Sequence, residues 1–167
     1  VQNVTVSISN RSYSLNYSEG VYTGSLFMTS EVAGFYDANV SVCDYESCVY
    51  SSVNFEYLGM IVTSLNTTSL SFGNGDEQNI EIVNSGNVVL DFEIGGTDLV
   101  AGEHSLSIES FSVYNSYWMP LSLNGVYLDL NVMPGASEDL QLKFELPVGT
   151  RSGEYRGVIS VIGMQDE

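Results

Sequence analysis

Basic residues are scarce in this chain of 167 residues. It has one lysine, Lys143, and three arginines, Arg11, Arg151 and Arg156, against 21 acidic residues. The net charge of −17 repels phosphate backbones and anionic lipid headgroups, which excludes nucleic acid as a partner. Lysine depletion suits a secreted, glycan-coated protein or a protein from an acidic or saline habitat, and the sequence leaves both open.

Residues and motifs typical of catalytic sites are also few. The only histidine is His104, and there is no Gly-x-Ser-x-Gly, His-Glu-x-x-His or glycine-rich phosphate loop. The acid pairs Asp76-Glu77 and Glu138-Asp139 lie in polar stretches that we expect to be solvated turns. Paired glycosidase carboxylates must instead flank a cleft, about 5 to 9.5 Å apart. The sequence therefore predicts that the chain is not an enzyme.

Long apolar runs are missing, so the sequence predicts no membrane segment and no signal peptide. The chain begins at Val1 rather than at a methionine, which indicates a mature form or an excised piece. Hydrophobic residues make up 44% of the chain and charged residues 15%, enough apolar material for a core and too little charge for a disordered acidic tail.

Apolar and polar residues alternate with a period of two in many short segments, which is typical of half-buried antiparallel strands. The clearest segments are 4–8, 39–42, 80–82, 128–132 and 140–146. Turn signals recur between them, at 18–20, 73–75, 84–86, 95–96, 124–125, 134–135 and 147–149. This spacing predicts an all-β protein built of antiparallel β-sandwiches.

A domain boundary is expected near residues 58–62. Residues 1–59 then form a small or incomplete β-sandwich unit of about five strands, since an immunoglobulin-like domain needs about 100 residues. Residues 60–167 form a larger unit of roughly eight to ten strands. A missing strand in the first unit would leave an open edge that a strand of another subunit can fill.

The acceptor sequence for N-glycosylation, Asn-x-Ser/Thr, occurs five times in the first 66 residues and nowhere after them. The acceptors are Asn3, Asn10, Asn16, Asn39 and Asn66. Chance alone predicts about 2.5 such sequences in a chain of this composition, so their concentration is more informative than their number. Glycan acceptors must lie on a surface, in a compartment where glycans are attached. They predict an extracellular, cell-surface protein with covalent N-glycans.

Two cysteines, Cys43 and Cys48, are separated by four residues. If those residues turn a hairpin, the two cysteines face each other across strands within disulfide reach. An oxidising compartment favours this disulfide over two reduced thiols. A metal site at these cysteines is not expected, because there is no second cysteine pair.

Two stretches of the second unit, 80–92 and 132–160, share a pattern with a known family. A strand ends in Asn84-Ser-Gly-Asn87, which suits a tight hairpin, and Pro134-Gly precedes a further strand. Pro147-Val-Gly-Thr and Gly153-Glu-Tyr155 then lead to a final strand. This pattern resembles the immunoglobulin-like NEW3/CARDB-type modules of archaeal and bacterial secreted surface proteins. The resemblance implies tandem immunoglobulin-like sandwiches, with Tyr155 at a sandwich corner.

Two further groups are candidate ligand sites. Asn74, Asp76 and Glu77, in a glycine-rich turn, are weak candidates for calcium, the one cofactor considered, although their spacing matches no EF-hand. Tyr114 and Tyr117 lie in the stretch 95–127, which is longer and richer in tyrosine than the family pattern and is expected to hold an extra hairpin. They are candidates for a binding surface. The neighbouring Trp118 is expected in the sandwich core.

These features predict a structural or adhesive cell-surface module, part of a surface layer, pilus or stalk. Its partners would be copies of itself or other surface proteins, in a homo-oligomer or filament. The alternative is an accessory or carbohydrate-binding module of a secreted hydrolase. Concentrated glycans favour the first, because a sugar-coated half suits a coat better than an arm that approaches polysaccharide.

Overall fold

The structure is a computed structural model that describes residues 3–28 and 31–165. Within these ranges the protein is all-β, as predicted, and every strand pairing is antiparallel. The one helical element found there is a short 3-10 turn at Ile108–Ser110. No helix in the described ranges has the length and hydrophobicity needed to cross a bilayer. The chain divides into two compact units, Val1–Gly59 and Met60–Glu167.

The described residues of the first unit form six strands. They are β1 (Asn3–Ile8), β2 (Arg11–Ser14), β3 (Asn16–Ser18), β4 (Val21–Thr23), β5 (Gly34–Cys43) and β6 (Cys48–Tyr57). One sheet has the order β2-β1-β5-β6, and β3 and β4 pair separately as a hairpin. Val4 and Ile8 are the only buried apolar side chains among the described residues of this unit. Its core is therefore small.

The turns of the first unit follow from local chemistry. The β3–β4 hairpin closes on Glu19 and Gly20, which both have positive φ, 54° and 87°. Two consecutive residues with positive φ are typical of the two-residue turns that match strand twist. The turn predicted at 18–20 is thus present. Ser9, with φ 52°, turns the chain between β1 and β2 in the same compact manner.

Up to residue 165, the last one described, the second unit contains ten strands. They are β7 (Thr63–Leu65), β8 (Glu77–Asn84), β9 (Leu90–Gly96), β10 (Leu99–Ala101), β11 (His104–Leu106), β12 (Phe111–Asn115), β13 (Tyr117–Pro120), β14 (Val126–Val132), β15 (Ser137–Phe144) and β16 (Ile159–Gln165). A five-stranded sheet has the order β13-β12-β15-β8-β7, and a three-stranded sheet has the order β14-β9-β16. A separate hairpin joins β10 and β11.

Alternate residues of these two sheets form the core of the second unit. Phe92 and Ile94 of β9 are 0% and 1% exposed, and Ile82 of β8 is fully buried. Phe111 and Phe144 pack ring against ring, with centroids 4.8 Å apart. Burial of side chains of this size contributes roughly 1.5–3 kcal/mol each, so the second unit has much the larger hydrophobic stabilisation.

Several local predictions for the second unit are wrong. Residues 84–87 do not turn a hairpin: β8 and β9 belong to different sheets, so this segment crosses between sheets. Gly95 and Gly96 lie inside β9, where a Cβ at Gly96 would stand 2.3 Å from the Val158 carbonyl oxygen. They permit close backbone approach rather than a turn. Strand β15 ends at Phe144, two residues earlier than predicted.

The extra hairpin expected within residues 95–127 is present, and the segment in fact holds two. One joins β10 and β11, and the other joins β12 and β13. The first turns at Gly102, whose φ is 60°, and the second turns at Ser116, whose φ is 62°.

Candidate functional site

All five predicted glycan acceptors are exposed. Asn3 begins β1, Asn10 lies in the β1–β2 turn, Asn16 begins β3, Asn39 is in the middle of β5, and Asn66 follows β7. Asn66 uses its Oδ1 atom to accept a hydrogen bond from the Glu81 amide at 3.1 Å. That bond does not involve the side-chain nitrogen to which a glycan attaches. The geometry is compatible with glycosylation at each site, and glycosylation itself stays a prediction.

The strand register separates the acceptors in the first sheet from its apolar face. Asn39 lies opposite Ser7 across the β1–β5 ladder, whereas Val40 lies opposite Val6. Because side chains alternate between faces, Asn39 shares its face with serine and threonine side chains, and the valines occupy the other face. Glycans at this position would leave the apolar face uncovered.

The cysteines form the predicted disulfide at the end of the β5–β6 hairpin. Cys43 and Cys48 are direct cross-strand partners with their Cα atoms 4.1 Å apart. In the intervening loop, Asp44 Oδ1 accepts hydrogen bonds from the amides of Glu46 and Ser47, each at 2.9 Å. These two hydrogen bonds lower the pKa of Asp44 below its ordinary value. The loop is therefore shaped both by the disulfide and by an ionised aspartate.

A buried aspartate organises the edge of the three-stranded sheet. Asp91 is 1% exposed, and its Oδ1 accepts hydrogen bonds from the amides of Leu130 and Asn131 at 2.9 Å. The Tyr127 hydroxyl donates to its other oxygen. Burial alone would raise the pKa of Asp91, but these three donors outweigh it and lower the pKa below its ordinary value. The backbone they hold is a β-bulge, where the register of β14 shifts between Leu128 and Val132.

The family-like motif at 84–87 is a structural junction. Asn84 is fully buried, and its side-chain nitrogen donates to the carbonyls of Val88 and Val132, each at 2.8 Å. Asn87 Oδ1 accepts a hydrogen bond from the Met60 amide at 2.6 Å. Asn84 thus satisfies buried backbone carbonyls, and Asn87 a partly buried amide, where the chain crosses between sheets. The motif at 84–87 is therefore structurally important, but as a crossing between sheets and not as the predicted hairpin.

The calcium candidates use their oxygens within the fold. Asn74 Oδ1 accepts a hydrogen bond from the Leu146 amide at 2.9 Å, and Asp76 Oδ2 accepts one from Gly73 at 2.6 Å. Glu77 accepts one from the Gln141 side chain at 3.0 Å. Within residues 3–28 and 31–165, no group of three or more His, Cys, Asp or Glu side chains is arranged to hold a metal ion.

The residues considered for catalysis do not converge. His104 begins β11 and is exposed, with its Nε2 atom 3.2 Å from Arg151 Nη1. Glu138 and Asp139 lie in β15, not in a turn, and both are exposed. Asp76 and Glu77 are also exposed, with Glu77 at the start of β8.

The aromatic candidates lie on the β12–β13 hairpin. The placement of Trp118 in the core is wrong: it pairs with Tyr114 across the hairpin, while the neighbouring Val113 is fully buried. Trp118 therefore belongs to the outer face of the five-stranded sheet, where its ring centroid is 5.4 Å from that of Tyr114. Lys143 Nζ is 5.8 Å from the Trp118 ring. Tyr117 is 66% exposed at the end of the hairpin.

A groove of about 1020 Å³, lined by both polar and apolar residues, opens along one side of the second unit. The segment 65–74 lines one wall, and residues 151–161, which run into β16, line the other. Phe72, Phe111 and Ile108 form part of its floor. At one end the walls meet, since a Cβ on Gly163 of β16 would stand 2.8 Å from Thr63 Cγ2 of β7. The two sheets are therefore closed at that end and parted along the groove.

The groove is the feature that sequence reasoning missed. Its walls come from segments about 85 positions apart, and no local pattern indicates that these segments diverge. A partial signal was present in the alternation of Ile159 and Val161, which predicts a strand with an inward face. Those two side chains are only half-buried, whereas the inward residues of the neighbouring β9 are fully buried.

Comparisons with models of protein families, with curated proteins and with solved structures find no match. Any functional assignment must therefore be built from the residues and geometry of this chain.

Proposed function

We propose that this chain is a glycosylated structural or adhesive module of a cell surface, acting through contacts with other proteins. The observation that carries the proposal is the exposure of all five glycan acceptors, which are confined to the first 66 residues. The Cys43–Cys48 disulfide supports it, since such bonds persist in oxidising compartments. A layer, pilus or stalk component needs both shielded and bare surfaces, and this distribution supplies both.

The family resemblance belongs to the same proposal. In an immunoglobulin constant domain one sheet has the strand order A-B-E-D, and strands C and F pair in the other. The order β7-β8-β15-β12 can be aligned with A-B-E-D, and β9 and β16 with C and F. The Tyr155 hydroxyl donates to the Arg151 carbonyl at 3.3 Å, four residues upstream, as the corner tyrosine of such domains does. These points support an immunoglobulin-like second unit.

The apolar surface of the first unit also supports a role in protein contacts. Phe35, Tyr45, Val49 and Tyr50 are 69–88% exposed. By the strand register Phe35 and Tyr50 lie on the face of Asn39, whereas Val49 lies on the face of Val42. Large apolar side chains exposed on both faces of one small unit support packing against other proteins.

The proposal is tested on protein isolated from its native source. Peptide mapping by mass spectrometry should find glycans on several of Asn3, Asn10, Asn16, Asn39 and Asn66, and labelling of intact cells should find the chain at the surface. Non-acceptor asparagines such as Asn54 serve as the internal control. Unmodified acceptors together with an intracellular location would contradict the proposal.

A second candidate function is a carbohydrate-binding accessory module of a secreted hydrolase. The observation that favours it is the outer-face cluster of Tyr114, Trp118 and Lys143, because aromatic faces pack against sugar rings. Glycan-array binding that is lost in Trp118→Ala and kept in Tyr17→Ala, an exposed tyrosine of the first unit, would favour this function. Absence of binding to any glycan would remove it.

A further inference from the structure

We propose that copies of this chain join head to tail, with the edge of β6 in one copy pairing with the edge of β16 in the next and covering the groove. The contact depends on the proposed function, because it specifies which surfaces a coat or filament component uses. It names a second copy of this chain as the partner.

The strand edges themselves indicate this pairing. Proteins protect exposed edges by keeping them short or by adding charge, proline or bulges. Four edges of the three larger sheets are protected: β7 has three residues, β2 has four and includes Arg11, β13 has four and includes Pro120, and β14 is bulged. The remaining two edges, β6 and β16, lie in different units.

Neither remaining edge has such protection. Strand β6 pairs with β5 over ten consecutive positions without a register shift, contains no lysine or proline, and has Glu56 as its only charge. Strand β16 spans seven residues with no charge and no proline. Each edge can therefore serve as a template for another strand.

The backbone of β16 is oriented to accept a strand. The Thr97 amide donates to the Val158 carbonyl at 2.8 Å, which makes this a hydrogen-bonded pair just before β16. Antiparallel ladders alternate bonded and non-bonded pairs, so Ile159 and Val161 direct their amides and carbonyls away from β9, toward the edge. In the described part of the chain no strand pairs with that edge. An added strand would occupy the position next to β16 and lie over the groove.

Strand β6 has the side chains that such a position requires. Val49 and Val53 are 69% and 61% exposed and lie on the same face as Val40 and Val42 of β5. Phe55 follows on that face, stacked on Tyr36 with ring centroids 6.0 Å apart. When β6 pairs with β16 so that this face points the same way as Ile159 and Val161, the exposed valines become buried above the groove. Burial of their apolar surface favours association.

Charge favours the same pairing. Arg151 and Arg156, two of only four basic residues in the chain, line the groove with one acid, Glu154, which forms an ion pair with Arg156 at 2.9 Å. Two arginines and one glutamate leave the lining with a net positive charge. The β5–β6 hairpin has Asp44 and Glu46 in its loop and Glu56 in β6, with no basic residue from 34 to 57. On a protein with net charge −17, the groove is a favourable place for an acidic hairpin.

The predicted glycans do not obstruct the contact. No acceptor lies in β6 or β16, and Asn39 is on the face of the first sheet opposite the valines. Asn66 follows Leu65, which pairs with the buried Ile82, so the Asn66 side chain is on the face away from the groove.

The geometry has a consequence for assembly. The two edges differ, so the contact is heterologous, and a joined pair of copies keeps one free β6 edge and one free β16 edge. Repetition of such a contact produces rings or open filaments rather than closed dimers.

Two variants test the contact in the full-length chain by sedimentation velocity. Val53→Lys places a charge on the β6 edge, and Arg151→Glu/Arg156→Glu reverses charge at the groove. Each alone should weaken association by about tenfold or more, since burying an unpaired charge or opposing like charges costs several kcal/mol at an interface. Mixed together, the two variants should form a one-to-one complex that grows no further, because one intact edge of each kind remains.

Matched controls separate this contact from general effects. Leu123→Lys changes a side chain of similar exposure, 66%, in a loop outside both edges. Arg11→Glu/Lys143→Glu makes the same change in net charge away from the groove. Both should associate as the wild type does. Thermal unfolding verifies folding, and if Val53→Lys unfolds, Val49→Lys replaces it in the mixture.

Three results would overturn the inference: a wild type that stays monomeric at high concentration, assembly that survives both variants, or a mixture that forms no complex. Assembly surviving both variants would leave the proposed surface function intact and place the contact elsewhere. Missing glycans and an intracellular location would instead remove the proposed function without bearing on how the copies pair.

Discussion

At the scale of single residues, two buried polar side chains hold the irregular parts of the second unit. Asn84 satisfies backbone groups where the chain crosses between the sheets, and Asp91 holds the bulge of β14. Their role is to satisfy backbone groups that the fold removes from water, where an unpaired group costs about 1–3 kcal/mol.

Asp91→Ala should lower the free energy of unfolding of the second unit by about 3 kcal/mol at pH 7, because three donors lose a charged acceptor. The pKa of Asp91 in the fold lies below its ordinary value of 3.8. Its contribution is therefore fully present above the unfolded pKa and is lost as the pH falls through the folded pKa. Denaturant titration of wild type and variant at several pH values measures this difference.

The control for this prediction is Glu138→Ala, which removes an exposed carboxylate and should change stability by less than about 0.5 kcal/mol. The difference in free energy of unfolding between wild type and Asp91→Ala should become smaller as the pH falls below 3.8. If wild type and Asp91→Ala had the same free energy of unfolding at pH 7, or if their difference did not change with pH, the ionised carboxylate of Asp91 would not be stabilising the fold.

At the scale of elements, the β5–β6 hairpin shows how local and distant effects combine. Its register, its loop and its disulfide follow from a short stretch of sequence, as predicted from the spacing of Cys43 and Cys48. The uncovered apolar face of β6 does not follow from that stretch. It depends on which strands of the first unit lie over the sheet, and the small core leaves Val49 and Val53 exposed.

Reduction of the disulfide should destabilise the first unit by about 2 kcal/mol, since a loop this short loses little chain entropy on closure. The second unit has no cysteine and should unfold as before. Calorimetry with and without reductant measures both transitions. The double variant Cys43→Ser/Cys48→Ser should be insensitive to reductant, and an equal shift of both transitions would contradict a role limited to the hairpin.

At the scale of the whole molecule, charge is the dominant property. A net charge of −17 on 167 residues makes the folded chain repel itself and repel other copies. The proposed contact uses a region where this repulsion would be locally relieved, the groove lined by Arg151 and Arg156. Added salt should screen this repulsion both within one folded chain and between copies.

Raising sodium chloride from about 10 mM to 1 M shortens the Debye length from about 30 Å to about 3 Å. We expect the melting temperature to rise over this range as self-repulsion is screened. A variant with three exposed acids neutralised, Glu103→Gln/Glu109→Gln/Glu138→Gln, should show a smaller rise. Equal salt dependence in both proteins would show that screening of net charge is not the cause.

Sequence alone determined the all-β class, the positions of the five strands β1, β5, β8, β14 and β15, the hairpin at Glu19-Gly20 and the disulfide partners. These depend on period-two alternation, on positive φ and on short spacing, which are properties of neighbouring residues. It also predicted the acceptor asparagines, because their motif is three residues long.

Tertiary structure alone decided the rest. Residues 84–87 cross between sheets rather than turning, and Trp118 lies on the outer face, because both outcomes depend on which sheet the next strand joins. The groove and the two unprotected edges arise where strands distant in sequence meet or fail to meet. No local pattern specifies such juxtapositions, since they are set by packing of the whole unit.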